Sequence, residues 1–136
     1  MIANDWEKNL LLFRGKSSDE IVTLSQDQLL KLKSSGVKKF IISIGTVDLL
    51  QLPHSEHNPK EAATKVAASI STLSQTLSPG VQICTIIPSP NRHVSETAYS
   101  RFVNQLEREL KDSGVTSYIY AGTIMAQCSE ISCNVK

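Results

Sequence analysis

Asp48 ends the segment Lys38-Lys39-Phe40-Ile41-Ile42-Ser43-Ile44-Gly45-Thr46-Val47-Asp48. A lone carboxylate can do two kinds of work. It can orient a histidine that activates a nucleophile, or it can accept backbone N–H groups and fix a turn. No Ser–His pair accompanies Asp48 in the sequence, so capping of the next turn is the stronger expectation. Thr46 likewise reads as a turn residue. Four further side chains could contact phosphate: Arg14, Lys16, Arg92 and His93. His54 and His57 have a metal-like spacing, but Pro53 and Pro59 break any helix there and no third ligand is near. No metal and no cofactor is expected.

These residues need elements to position them. Phe40 to Ile44 is apolar and β-branched apart from Ser43, which suits a strand covered on both faces. Gly45 permits a sharp turn after it. Leu10, Leu11, Leu12 and Phe13 predict a first strand. Val81 to Ile87 and Val115 to Tyr120 predict two more. Ser17 and Glu20 have capping-box spacing and start a helix that ends at Gly36, with Ile21, Leu24, Leu29 and Leu32 on one side. Asn58 and Pro59 start a second helix, with Ala62, Ala63, Val66, Ala67, Ile70, Leu73 and Leu77 at helical spacing. Ser95 caps a third, striped by Tyr99, Phe102, Val103, Leu106 and Leu110.

Strands alternating with helices predict an α/β fold in three layers. The expected sheet is parallel, of about four to five strands, with helices on both faces in a flavodoxin-like topology. The loops leaving the strands then share one edge. Arg14, Lys16, Arg92 and His93 are expected there, beside helix N-termini that favour phosphate.

The 136 residues suit one domain, 1–136, and carry a net charge of +1. That balance gives no global drive toward nucleic acid or membrane. Few aromatics (5%) argue against binding by base stacking. Cys84 reads as a buried small hydrophobe. Cys128 and Cys133 complete no zinc set, and an odd cysteine count suggests a reducing compartment. No apolar run approaches the ~18 residues of a membrane span, so no membrane partner is expected.

The segments Arg14-Gly15, Ile44-Gly45-Thr46-Val47-Asp48 and Ile86-Ile87-Pro88-Ser89-Pro90 resemble the SGNH (GDSL-type) hydrolase family over about residues 10–110. The resemblance implies that Gly15 matches a backbone oxyanion donor. Gly45 and Asp48 match the ends of the Gly-x-Asn-Asp turn. Val47 then stands where that family has its oxyanion asparagine, and an isopropyl group donates no hydrogen bond. Loss of one such donor costs ~100- to 1000-fold in turnover. No Gly-Asp-Ser precedes Leu10, and no histidine follows His93. A chain truncated at one or both ends would explain the missing ends but not Val47.

The expectation is a pseudoenzyme. Among SGNH-like domains without catalytic residues, the chain is most similar to the C-terminal domain of insect germ-plasm organisers, through Lys39 to Asp48 and Arg14 to Glu20. That resemblance implies a cytoplasmic protein of germ granules. Its partners would be mRNA, through 3′ untranslated regions, and germ-granule proteins. A truncated SGNH esterase or acetylhydrolase is the alternative, and a pure protein-interaction scaffold is the third reading.

Overall fold

The structure is a computed structural model, and it describes residues 11–52, 58–115 and 118–120. The elements in chain order are α1 (Ser18–Ser34), β1 (Lys39–Ser43), α2 (Thr46–Leu50), α3 (Pro59–Leu77), β2 (Gln82–Ile87), α4 (Glu96–Asp112) and β3 (Tyr118–Tyr120). The strands form a parallel three-stranded sheet in the order β1-β2-β3. The fold is mixed α/β, and α3 and α4 lie in the two connections between neighbouring strands. Parallel strands need such crossovers, because a hairpin can join only antiparallel ones.

Local chemistry explains the helix starts. Asn58 Oδ1 accepts the Glu61 N–H at 2.9 Å, with Pro59 at the first helical position, where no N–H is needed. Ser95 Oγ accepts the Ala98 N–H at 3.1 Å. At α1 the expected capping box is present: the Ser17 N–H donates to Glu20 Oε1 at 3.1 Å. The Ser17 hydroxyl also lies 2.5 Å from Asp19 Oδ1 and 2.8 Å from Glu20 Oε1.

One core joins the sheet to the helices. Ile42, Ile44 and Ile87 pack with Val66, Ile70 and Leu73 of α3 and with Phe102, Leu106 and Leu110 of α4. The α3 and α4 stripes are those expected from their spacing. The α1 stripe is rotated. Leu24 is 51% exposed, while Ser25 is buried and Ile21, Val22 and Leu29 reach the core. Packing against α3 selects the face of α1, and a single leucine does not outweigh it.

Three expectations are corrected. First, residues 11–13 are in no ladder, and Leu12 is 66% exposed. An apolar run becomes a strand only when a partner edge lies at hydrogen-bonding distance. Here a cleft is lined on one side by this segment and on the other by β1. Second, β1 alternates exposed and buried rather than being covered on both sides, and Ile41 is 53% exposed. Among the described residues the core contacts of the sheet come from its other face, which carries Ile42, Ile83, Ile87 and Tyr118. Third, Cys84 is only half-buried, because the register sets it beside the exposed Ile41. Leu10, the loop with His54 and His57, Cys128, Cys133 and the tail from Ala121 lie outside the described residues. Among the described residues no helix is long and apolar enough to cross a membrane.

The capping box makes a pH prediction. The Ser17 hydroxyl is the largest cause holding both Asp19 and Glu20 below their ordinary carboxylate values. A carboxyl group lowered by folding stabilises the fold above its unfolded pKa and ceases to do so as pH falls through its folded pKa. Ser17→Ala is expected to cost about 1 kcal/mol at pH 7, the usual loss for such a cap. The deficit should shrink as pH falls below the ordinary carboxylate range. Thermal unfolding of both proteins from pH 7 to pH 2.5 checks this.

Candidate functional site

The turn after β1 is held by two constraints on Gly45. Its φ is +105°, a region that side chains disfavour. A Cβ built there would lie 3.0 Å from Val66 Cγ1 and 3.4 Å from Pro88 Cγ. The turn is thus pressed between α3 and the loop that leaves β2. Beyond Gly45 the chain winds into the short helix α2 rather than only the expected sharp turn, with Leu49 donating its N–H to the Gly45 carbonyl at 2.9 Å.

That helical turn directs Asp48 inward. Its carboxylate is buried and binds Ser18 twice. Oδ1 accepts the Ser18 N–H at 2.8 Å, and Oδ2 accepts the Ser18 hydroxyl at 2.9 Å. Ser18 is fully buried. The carboxylate therefore caps a helix, as expected from its chemistry, but the helix is α1, thirty residues earlier in the chain, rather than the next turn. A buried charge at the positive end of a helix satisfies both the orphan N–H and the helix dipole.

These contacts join the exit of β1 to the start of α1 and to the exit of β2. Ser18 is joined to Asp48, and Gly45 packs against Pro88. The Tyr99 hydroxyl donates to the Pro88 carbonyl at 2.7 Å, tying the next loop to α4. Burial, with Glu107 nearby, pushes the Tyr99 hydroxyl above its ordinary pKa, so it stays a donor.

The candidate cations fall into two groups, Arg14 with Lys16 and Arg92 with His93. Arg14 is exposed in the turn before α1. Gly15, with φ +71°, is exposed beside it and has open space about it. Lys16 is exposed and lies 3.8 Å from Glu20. Arg92 Nε donates to His93 Nε2 at 3.4 Å, and the His93 N–H donates to Asn91 Oδ1 at 2.8 Å. No hydrogen bond or ion pair among the described residues links Arg14 or Lys16 to Arg92 or His93. The helix N-terminus expected to favour phosphate is already filled at α1, where Asp48, Asp19 and Glu20 gather and Lys65 pairs with Asp19 at 3.3 Å.

The arrangement does not assemble a hydrolytic triad among the described residues. Asp48 spends both oxygens on Ser18. His93 is paired with its own neighbour. Val47, half-buried on α2, offers only an isopropyl group. Among the described residues no group of three His, Cys, Asp or Glu side chains could hold a metal ion. Sequence reasoning missed Ser18, whose signal was its place as the first helical residue after a capping serine. It also missed Lys65, which nothing in the local pattern marks. No protein-family model, no curated protein and no solved structure matches the chain.

Gly45→Ala should destabilise the fold by about 2–4 kcal/mol, from a disfavoured backbone and crowding against Val66. Denaturant unfolding measures the loss. Restoring space with Val66→Ala in the same chain should recover the crowding part only.

Proposed function

We propose that the chain is a non-catalytic SGNH-like domain that binds RNA and partner proteins in germ granules, and that it resembles the C-terminal domain of Oskar, the insect germ-plasm organiser. In this reading the sheet belongs to a three-layer fold with helices on both faces, and the protein is cytoplasmic. Its ligand is mRNA, through 3′ untranslated regions, with germ-granule proteins as further partners. The observation that carries the non-catalytic part is the Asp48 carboxylate. It is buried and committed to Ser18, next to Val47 where the hydrolase turn would have its amide donor. A carboxylate used this way organises the strand exits instead of a histidine.

Support for RNA comes from Arg14, Lys16, Arg92 and His93, all exposed on loops that leave strands or precede helices. They are too few and too dispersed for tight sequence reading, and a handful of phosphate contacts suits an adaptor that binds weakly and in a salt-sensitive way. The uncovered apolar surface beside β1 favours a second reading, a protein-interaction scaffold. A truncated esterase or acetylhydrolase would need a nucleophile and a histidine that the described residues do not bring to Asp48.

The test is ultraviolet crosslinking to a labelled 3′ untranslated RNA, with the double variant Arg14→Glu, Arg92→Glu as comparison. Capture should fall in the variant. The slope of log affinity against log salt should shrink in magnitude by about 1.4, at roughly 0.7 per phosphate contact on a single strand. Equal capture by both proteins would remove these arginines from the interface.

A further inference from the structure

We propose that the free edge of β1, with the cleft beside it, binds an extended peptide segment of a partner protein that is apolar at its centre and acidic at both ends. The proposal concerns a surface that shares only Arg14 with the RNA-binding reading, and it stands without that reading.

The backbone is the first argument. The Lys38 carbonyl accepts the Gln82 N–H at 2.7 Å. In a parallel ladder, alternate residues address alternate neighbours, so Lys39, Ile41 and Ser43 turn their N–H and C=O groups away from β2. Among the described residues β1 has no other ladder partner. An unpaired edge of this kind is a template for an added strand.

The cleft supplies the second argument. It has a volume of about 270 Å³ and lies along this edge, lined by Phe13, Ile21, Leu29, Ile41 and Leu73 among others. Ser25 also lines it. That residue is 2% exposed, and its hydroxyl has no hydrogen-bond partner. A buried hydroxyl left unpaired costs about 1–3 kcal/mol.

Charge decides the occupant. Among the described residues no carboxylate lines the cleft. Arg14 stands at its wall, on the turn leading to the Ser18–Asp48 contact, and so marks the carboxyl end of β1. It makes no ion pair among the described residues. Lys38 and Lys39 are exposed at the amino end. An apolar strand flanked by acidic side chains complements both ends and the middle, and like-charged flanks would be rejected.

The probe is a fluorescent heptapeptide with alternating isoleucine and threonine between glutamate ends. It is compared with the same peptide carrying lysine ends, against the full chain. The glutamate peptide should bind and slow hydrogen exchange at the Ile41 and Ser43 amides. The lysine peptide should bind several-fold more weakly. Arg14→Glu should narrow or reverse that preference while leaving the fold intact, as checked by circular dichroism. Equal binding of the two peptides, or binding without protection of Ile41 and Ser43, overturns the proposal. So does protection of these amides in the free, monomeric chain, which would mean that the protein's own segment fills the edge. Concentration-dependent self-association abolished by Ile41→Pro would assign the edge to a second copy and overturn it as well.

Discussion

The bond between Asp48 and Ser18 is the constraint on which the arrangement of this edge depends. It joins the exit of β1 to the start of α1 through two hydrogen bonds to one buried carboxylate. The same contact satisfies an otherwise orphaned helix donor and places a negative charge at the positive end of the helix dipole. Gly45 makes it possible. A residue with a side chain would meet Val66 and disfavour the backbone turn that aims α2, and with it Asp48, toward α1.

From that junction the rest of the molecule is arranged in one direction. α1 packs on α3, and α3 packs on α4. The same core takes in the face of the sheet that carries Ile42, Ile83 and Ile87. The opposite face keeps Ile41 open, and the outer edge of β1 borders the cleft. The chemistry follows from this layout. The Asp48 carboxylate is spent on holding the fold. The exposed cations lie on its loops, and an apolar cleft lies along the adjacent edge.

Much of this was legible in the sequence where a local rule governs the outcome. Asn58 with Pro59, Ser95, and Ser17 with Glu20 each mark a helix start through side-chain chemistry that acts within a few residues. The stripes of α3 and α4 are legible because every third or fourth residue is apolar and all of them face one core. The rest depends on contacts distant in the chain. Residues 11–13 look like a strand, but pairing is decided by whether an edge is within reach. Ile41 looks buried because it is apolar, but only the arrangement of helices decides which sheet face is covered. Asp48 was legible as a cap, yet its partner lies thirty residues away, and no spacing rule predicts that. Arg14 and Arg92 could be placed on loops at one edge, while the filling of the α1 start by Asp48, Asp19 and Glu20 could not.

The claim that Asp48 is a structural latch is tested most directly by a double-mutant cycle between Ser18 and Asp48, read by equilibrium unfolding. Ser18→Ala, Asp48→Ala and the double variant should show a coupling of about 1.5–3 kcal/mol, the range for a buried hydrogen bond to a charged group. A coupling near zero together with no loss of stability in Asp48→Ala, which alone also removes the bond from the Ser18 N–H, would contradict the latch and return Asp48 to the residues free for chemistry.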